Sequence, residues 1–383
     1  MLFANNGDTL GMAYLTYWKK NFRIRKMSVC IALVAIMTGI PSCGVEDYHT
    51  QEDAKRNIFL MEGADFLDES KVTYYYYDRL PICEKEAYSC IYNALTARHA
   101  KVAMPDNLEE TDLARLFRYV YYDHPDVFWY DDTYFEMYED RVYFVCEAKM
   151  SDAEIEEKTK MCQDYLSVVK KKVPEEASEY EISLGLYEYI INDLSYDHQN
   201  ADQTMVSAVE RHMAVCAGYS RLYQYLMQNY GIECTIITGL TDKGEAHMWN
   251  TSYLDGSYYY TDITTGEANS NSNEICYDFL NVSKREIEMV SNFEKGQILP
   301  TCTDTSCNYY VKNGMNYTSY NRARLKRQFD QGFPVIIRCA NQSVYTTMIT
   351  HLIDNREIFE FTDNRSTRFE TNDQIRRIKF YIE

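Results

Sequence analysis

The strongest constraint on the fold is a hairpin signal in the second half of the chain. Asp255 and Gly256 separate two segments, His247–Leu254 and Ser257–Thr264, in which apolar and polar residues alternate. An Asp-Gly pair suits the positive φ angles of a two-residue β-turn, and alternation is typical of strands with one buried face. A further alternating segment, Glu233–Leu240, precedes them. The sequence therefore predicts an antiparallel sheet closed by a tight hairpin.

A helix is predicted directly before this sheet. Residues 216–230 show helical periodicity, and Gly231 provides a C-terminal stop. Cys216 is the first residue of this helix, where backbone N–H groups and the helix dipole favour a thiolate. A thiol in this position is typical of cysteine hydrolases, which also need a histidine within reach and a group that orients it.

His247 and Asp262 are the candidates for these two partners. With the turn at residues 255–256, His247 faces roughly position 264, two residues from Asp262. Diagonal neighbours across two strands lie about 7–8 Å apart, so their side chains can meet. His212 is the alternative base, but it precedes the helix and would have to fold back. A lone cysteine at a helix start is more often a buried structural thiol, and the order Cys, His, Asp favours the catalytic interpretation.

Five motifs resemble those of the transglutaminase-like superfamily, across about residues 180–265. Residues 277–288 are similar to a continuation seen in bacterial members. The motifs are Leu194-Ser195-Tyr196-Asp197, Ala214-Val215-Cys216-Ala217-Gly218-Tyr219, Gly231-Ile232-Glu233-Cys234, His247-Met248-Trp249-Asn250 and Tyr260-Thr261-Asp262-Ile263-Thr264.

The resemblance implies a papain-like α+β core, with the nucleophile helix packed on an antiparallel sheet, and thiol acyl chemistry. Cys216 would be the nucleophile, His247 the base and acid, and Asp262 the group that orients the histidine. The reaction would be peptide or amide hydrolysis, or acyl transfer from glutamine. The sequence departs from the family pattern at Ala214, where a glycine is common, and at Thr265, where many members have tryptophan.

Four further residues are predicted to support the cleft. Trp249 shares the strand face of His247 and is expected to pack the cleft wall, whereas Asn250 is expected to bond neighbouring backbone. Tyr219, one helical turn after Cys216, is expected in the core. Gly218 completes the set.

The second donor of an oxyanion hole is not visible in a matching motif. The backbone N–H of Cys216 is one candidate for such a hole. The side chains of Asn192 and Gln203 are further candidates for the second donor of the oxyanion hole.

Composition excludes several classes of protein. The 383-residue chain is 46% hydrophobic, which excludes disorder as a description of the whole, and its net charge of -19 makes nucleic acid an unlikely partner. Twelve cysteines include no CxxC pair, and we expect no metal or other cofactor. Cys302 and Cys307 could close a small disulfide loop, and the other thiols are expected to be reduced and buried.

The N-terminus has the features of a bacterial export signal. Basic residues at 19–26 precede an apolar stretch, Val29–Ile40, which ends in Ile40-Pro41-Ser42-Cys43-Gly44. This end resembles a lipobox, which implies cleavage before Cys43, lipidation of its thiol and an extracytoplasmic, membrane-anchored protein. A signal peptide cleaved elsewhere and a retained anchor are the alternatives.

The predicted organisation is an α+β protein in five parts. They are a lipoprotein signal peptide (1–42), a tether (43–55), an N-terminal α+β region (56–175), the transglutaminase-like catalytic domain (176–295) and a C-terminal α+β region (296–383). The N-terminal region is predicted to include strands at Val127–Tyr130 and Arg141–Cys146, and residues 283–294 to be helical. The expected function is thiol-dependent hydrolysis of envelope or extracellular peptides. Glutamine acyl transfer and a non-catalytic peptide-binding module are the alternatives.

Overall fold

The computed structural model describes residues 23–26, 58–61, 65–67, 73–130, 133–139, 141–199, 203–271, 274–363 and 365–382. It is an α+β structure, as the sequence predicted. Cys43 and the predicted cleavage site lie outside the described residues. Within these residues, no helix combines the length and the apolar character needed to cross a bilayer.

The N-terminal part is a five-stranded mixed sheet covered by helices. Its elements are β1 (Arg23–Lys26), β2 (Phe59–Met61), α1 (Tyr75–Asp78), α2 (Ile82–Thr96), β3 (His99–Ala103), α3 (Glu110–Asp123), β4 (Thr133–Met137) and β5 (Val142–Glu147). The strand order is β1-β4-β5-β3-β2. Strand β1, which lies inside the predicted signal peptide, pairs in parallel with β4.

The central part holds the predicted hairpin. Its elements are α4 (Asp152–Lys170), α5 (Glu179–Asp193), β6 (Ser195–Tyr196), α6 (Met205–Arg211), β7 (Met213–Ala214), α7 (Cys216–Asn229), β8 (Cys234–Thr241), β9 (Ala246–Leu254), β10 (Ser257–Thr261), α8 (Ile263–Ala268), α9 (Lys284–Ile287) and β11 (Ser291–Phe293). The sheet is antiparallel with strand order β10-β9-β8-β11. Strands β6 and β7 form a separate parallel pair.

The C-terminal part is a second four-stranded sheet with its own core. Its elements are α10 (Tyr309–Lys312), β12 (Asn316–Tyr317), α11 (Arg322–Asp330), β13 (Val335–Cys339), α12 (Gln342–Ile349), a π-helical turn (Thr350–Asp354), α13 (Ile358–Phe361), β14 (Thr367–Asn372) and β15 (Arg377–Ile382). The strand order is β12-β13-β15-β14, with β12 parallel to β13 and the other pairs antiparallel.

The N-terminal and central parts share a hydrophobic core. Tyrosines and aliphatic residues of α1, α2 and α3 form one buried cluster with Ala217 of α7, Ile236 of β8 and Met248 of β9. The N-terminal helices therefore pack on the face of the central sheet that carries Ile236 and Met248, next to the start of α7. Because burial of apolar area is favourable, this packing holds the start of α7 against the sheet.

Arg221 of α7 strengthens the same contact. This fully buried side chain lies over the ring of Tyr121, 3.7 Å from its centroid, and donates to the backbone oxygens of Tyr121, His124 and Pro125. A buried guanidinium needs such partners because it cannot lose its charge. It thereby fixes α7 to the end of α3.

Several predicted features differ in the structure. Cys83, expected to be buried, is exposed, and the strand predicted at Ser257–Thr264 ends at Thr261. Residues 127–130 form no strand and pair with no neighbouring strand, although Val127, Phe128 and Tyr130 are buried and Trp129 is half-buried. The stretch predicted as a helix at 283–294 contains only the four-residue α9, after which β11 pairs with β8. Cys302 and Cys307 are both free thiols, each buried by surrounding residues, so the suggested disulfide loop is not formed.

The pairing of β11 depends on Gly239 in β8. A Cβ atom at this position would lie 2.0 Å from the backbone oxygen of Asn292 and 2.6 Å from the Trp249 ring. Only glycine allows the two strands and the indole to approach this closely. This close approach explains why residues 291–293 form a strand despite a helical pattern in the sequence.

Candidate active site

Cys216 is the first residue of α7, at the junction of that helix with β7. Val215 precedes it in an extended conformation and offers no side-chain cap, so the first N–H groups of the helix have no intrahelical partner. The thiol is half-buried. A helix start of this kind stabilises negative charge on a sulfur atom.

Gly218 allows the first turn of α7 to pack on the strand before it. A Cβ atom here would lie 2.8 Å from the Cβ of Ala214 and 3.2 Å from the backbone oxygen of Thr204. Any larger residue would therefore push the start of α7, and with it Cys216, away from β7 and α6.

His247 lies on β9, in the register that the hairpin imposes. Asp255 and Gly256 both have positive φ angles, and Ser257 pairs with Leu254 directly across the turn. The ring of His247 is buried, and its Nε2 atom lies 2.8 Å from Oδ2 of Asp262. Because Nε2 is engaged in this way, Nδ1 is the ring nitrogen left to face the thiol of Cys216.

Asp262 lies between β10 and α8 rather than within a strand. It is the N-cap of α8, and its Oδ1 atom accepts a hydrogen bond of 3.0 Å from the backbone N–H of Thr265. Its Oδ2 atom accepts from the Thr265 hydroxyl at 2.6 Å as well as from His247. The carboxylate is fully buried, and these three donors fix its orientation.

The charges of this pair stabilise one another. Burial acts to lower the pKa of His247, but the negative charge of Asp262 and hydrogen bonds to Asp262 and Cys216 raise it well above its ordinary value. Burial likewise acts to raise the pKa of Asp262, and the interaction with His247 together with the Thr265 donors reverses this and lowers it. The arrangement favours an imidazolium beside the thiol.

Trp249 and Asn250 follow His247 on β9 and face opposite sides of the sheet. The Trp249 ring is fully buried with its centroid 5.8 Å from that of His247, and its indole N–H has no acceptor among the described residues. Asn250 donates to the backbone oxygens of Ser220 in α7, at 3.0 Å, and Thr235 in β8, at 3.3 Å. The hydrogen bonds of Asn250 fix the helix of Cys216 against the sheet that carries His247.

Two residues near the thiol were not predicted from the sequence. Thr265 was noted only as a departure from the family pattern, although an aspartate followed three residues later by threonine matches a helix-capping arrangement. Tyr196 belongs to a family-like motif but was given no role. Burial and the nearby Cys216 and Glu245 raise the pKa of its hydroxyl, which places it beside the cleft.

Tyr219 is fully buried as part of the central core, against which Tyr196 also packs. Its hydroxyl has no hydrogen-bond partner in the described part of the chain. Burial and the charge of Glu267 raise its pKa.

The other candidates lie elsewhere or have no visible contact with the thiol. His212 is exposed, with Nδ1 3.0 Å from Asp193. The exposed Asn192 donates its amide to the backbone oxygen of Glu188 in its own helix. Gln203 is half-buried. Across the described ranges, no three His, Cys, Asp or Glu side chains form a group that could hold a metal ion.

Comparison with known families identifies this part of the chain. Residues 167–263 match the family model of the transglutaminase-like superfamily, and the match includes Cys216, His247 and Asp262. The chain contains a transglutaminase-like domain. No curated protein sequence matches it.

The solved structures to which this chain is similar show low sequence identity. The crystal structure of a TGase has 12% identity and a TM-score of 0.28, over 46% of this chain and 52% of its own. A protein from Cytophaga hutchinsonii, provisionally assigned as a cysteine protease, has 14% identity and a TM-score of 0.25, over 34% and 60% of the two chains. The periplasmic domain of TgpA from Pseudomonas aeruginosa has 11% identity and a TM-score of 0.24, over 33% and 54%. The chain therefore spans about half the length of the first of these structures.

Proposed function

We propose that the protein is a thiol hydrolase that cleaves peptide or amide bonds with Cys216, His247 and Asp262. The observation that carries the proposal is the buried pair of His247 and Asp262 next to Cys216. Nε2 of His247 lies 2.8 Å from Oδ2 of Asp262, and the interactions of His247 with Asp262 and Cys216 raise its pKa well above the ordinary value. This is the arrangement that nucleophilic catalysis by a thiol requires.

In the proposed reaction, Sγ of Cys216 attacks the carbonyl carbon of the substrate while its proton resides on His247. The tetrahedral intermediate collapses when His247 gives that proton to the leaving amine, which leaves an acyl thioester on Cys216. A water molecule then attacks the thioester, with His247 accepting its proton and returning it to the sulfur. Asp262 keeps the ring oriented and stabilises its positive charge throughout.

The free N–H groups at the start of α7 are suited to the oxyanion of this intermediate. The backbone N–H of Cys216 is one donor in the proposal, since the helix start carries a positive partial charge. Removing one such donor in other enzymes costs about a hundredfold or more in rate.

Hydrolysis is proposed ahead of acyl transfer because water suffices as the acceptor. Transfer from glutamine uses the same thioester and needs a second binding site for an amine. No described feature around Cys216 marks such a site, so we assign a peptide or protein as the substrate and water as the acceptor.

We propose an extracytoplasmic location, with a lipid anchor on Cys43. The support is the basic and apolar sequence before Ile40-Pro41-Ser42-Cys43. Cleavage before Cys43 would also remove β1 and uncover the outer edge of β4, to which β1 is paired. Metabolic labelling with a palmitate analogue tests the anchor, and loss of the label in Cys43→Ala is expected.

The catalytic proposal is tested by alkylating the purified full chain with iodoacetamide from about pH 4 to about pH 9, with mapping of the modified cysteines. Cys83 is exposed and provides a reference thiol in the same molecule. Labelling of Cys216 is expected to be faster than that of Cys83 below pH 7, and to slow in His247→Ala. Equal rates at the two thiols would favour a binding module that retains the cleft.

Peptide turnover then separates hydrolysis from transfer. A library of unmodified peptides is incubated with the protein in the presence and absence of a fluorescent primary amine, and Cys216→Ala serves as the control. New peptide termini in the absence of the amine support hydrolysis. Attachment of the amine to glutamine side chains, without cleavage, would establish the acyl-transfer alternative.

A further inference from the structure

The C-terminal part meets the central part through polar contacts. The apolar cluster of its sheet is built from residues 317–380 of that part. Three cations of β13 and β15 pair with carboxylates of the central part, in the pairs Arg338–Glu286, Arg377–Asp278 and Lys379–Glu274. The second of these pairs lies one residue from a backbone contact of the candidate active site.

Asp278 is a buried carboxylate held from two directions. Its side chain is 2% exposed, and its Oδ2 atom lies 2.6 Å from Nη1 of Arg377, the first residue of β15. Its Oδ1 atom accepts a hydrogen bond of 2.7 Å from the hydroxyl of Tyr310 in α10. Hydrogen bonds between ionised groups are stronger than neutral ones, and a buried carboxylate that loses its cation is left uncompensated. Arg377 and Tyr310 therefore fix the loop at Asp278.

Phe279, the next residue of this loop, contacts Asp262 of the candidate active site. The carbonyl oxygen of Phe279 accepts a hydrogen bond of 3.0 Å from the backbone N–H of Asp262. Three residues later, Val282 exchanges two backbone hydrogen bonds of 2.8 Å with Tyr260. The loop that begins at Asp278 therefore supports the end of β10 and the backbone from which the Asp262 carboxylate extends.

The distance between Asp262 and His247 is sensitive to the position of this backbone. Oδ2 of Asp262 lies 2.8 Å from Nε2 of His247, and both the hydrogen bond and the Coulomb energy weaken as such a distance grows. The Thr265 donors hold Asp262 by its carboxylate oxygens, whereas Phe279 holds its backbone N–H. A residue that fixes the loop can thus act on the pair of Asp262 and His247 without touching it.

We propose that Arg377 is a positioning residue for the candidate active site. It fixes Asp278, and the carbonyl of Phe279 then holds the backbone of Asp262. The carboxylate of Asp262 is thereby kept at hydrogen-bond distance from His247. The catalytic meaning of this support rests on the proposed function, in which that pair serves a thiol nucleophile.

The test is a pH titration of His247 by NMR in the full chain with isotope-labelled histidine, with the signal assigned by its loss in His247→Ala. In Arg377→Gln we expect the pKa of His247 to fall by about 0.5 or more, because Asp262, the charge that raises it, is held less closely. A direct effect of the lost positive charge has the opposite sign and would raise this pKa. The sign of the change therefore separates positioning from a through-space effect of Arg377.

Three further variants sharpen the comparison. Arg377→Lys keeps a cation that can contact Asp278 through one nitrogen, and should restore the wild-type pKa of His247. Lys379→Gln removes another cation of β15, one paired with Glu274, and should leave that pKa unchanged. Tyr310→Phe removes the second donor to Asp278 while keeping the ring, and should lower the pKa of His247 by a smaller amount.

An unchanged or raised pKa of His247 in folded Arg377→Gln would overturn the proposal, as would an equal fall in Lys379→Gln. If Arg377→Gln does not fold, Tyr310→Phe decides, and an unchanged pKa in that variant overturns the proposal.

The proposed hydrolysis is judged separately, by alkylation of Cys216 and by peptide turnover on the same proteins. Alkylation of Cys216 below about pH 7 should slow about threefold in Arg377→Gln. A fall in the pKa of His247 in this variant, together with a wild type that cleaves no peptide, would support the positioning role and contradict the hydrolysis. Cleavage by the wild type with no change in that pKa would do the reverse.

Discussion

Two fully buried carboxylates, one in the candidate active site and one in the N-terminal part, have pKa shifts in opposite directions. Asp262 ends β10 beside His247, and Asp123 is the last residue of α3 in the N-terminal part. Asp123 accepts hydrogen bonds from the backbone N–H groups of Tyr76 and Tyr77 and from the hydroxyls of Tyr88 and Thr235. Each carboxylate is therefore well supplied with donors.

The difference lies in the charge of the partners. Burial raises the pKa of Asp123 to about 7, although all its hydrogen-bond donors act to lower it. For Asp262, burial also acts to raise the pKa, but the charge and hydrogen bond of His247, together with the Thr265 donors, outweigh it, and the pKa falls below its ordinary value. Neutral donors can thus hold a carboxyl group in place, but a cation is needed to keep it ionised in the interior. The candidate active site has that cation in His247, and no such cation is among the hydrogen-bond partners of Asp123.

Replacing the charged carboxylate should abolish most of the activity. Asp262→Asn keeps the shape of the side chain but removes the charge and the preferred tautomer of His247, so kcat/KM for a cleaved peptide should fall about 10³- to 10⁴-fold. Because Asp262 is the main group that raises the pKa of His247, the alkaline limb of the pH profile should move to lower pH. Asp123→Asn, equally buried but outside the site, is the control. Equal losses in the two folded variants would mean that burial, rather than the ion pair, sets the activity.

Asp123 should instead control the pH dependence of stability. Its folded pKa of about 7 lies above the ordinary value of 3.8, so between these values the folded state holds a proton that the unfolded state has released. The free energy of unfolding should therefore fall as pH rises from about 4 to about 7, by about 4 kcal/mol from this group. Urea unfolding of the wild type and of Asp123→Asn at several pH values measures the difference. A difference that does not vary with pH would contradict the raised pKa.

Removing one neutral donor from Asp262 should have a moderate effect. Thr265→Val deletes the 2.6 Å hydroxyl bond to Oδ2 and retains the backbone N–H bond to Oδ1. We expect kcat to fall about tenfold, since a hydrogen bond to a charged group is worth about 1.5–3 kcal/mol. The acidic limb of the pH profile should move to higher pH. The reason is that the Thr265 hydroxyl lowers the pKa of Asp262, so its loss raises that pKa. Thr265→Ser retains the hydroxyl and should restore both properties, and failure of this rescue would argue for a packing role.

A histidine paired with an exposed carboxylate should matter least. His212 lies 3.0 Å from Asp193 at the surface, where ion pairs contribute about 0–1 kcal/mol. His212→Ala should change kcat/KM less than about twofold, whereas His247→Ala should remove most of the activity. Peptide hydrolysis by the two variants, measured side by side, checks this contrast. A large loss in His212→Ala would require a different base.

The sequence predicted the hairpin in detail because local rules govern it. The Asp255-Gly256 turn requires positive φ angles, and once it forms, the side-chain period of two residues fixes which positions face each other. The observed pairing of Ser257 with Leu254 follows this register. The contact of His247 with Asp262 depends on the same register, although Asp262 lies one residue beyond the strand, at the start of α8.

The incorrect predictions arose where distant segments decide the structure. The apolar residues at 127–130 match the sequence pattern of a strand. In the structure they pack into the interior but form no backbone pairing with another strand. Residues 291–293 become a strand because Gly239, more than 50 residues earlier, lets their backbone approach. Neither Cys302 nor Cys307 forms a disulfide, since Cys302 lies beside Thr251 and Cys307 beside Asp255.

The order and spacing of Cys216, His247 and Asp262, and the secondary structure that carries them, can be derived from the chain alone. Local geometry is enough for this, because turns, helix starts and strand alternation involve residues close in sequence. The pKa shifts of Asp262 and Asp123, and the burial of an Nη1 atom of Arg338 that has no hydrogen-bond partner among the described residues, depend on the tertiary structure. Electrostatic interactions act through space in a medium that folding itself creates, so the same residue type acquires a different charge according to which partners are buried with it.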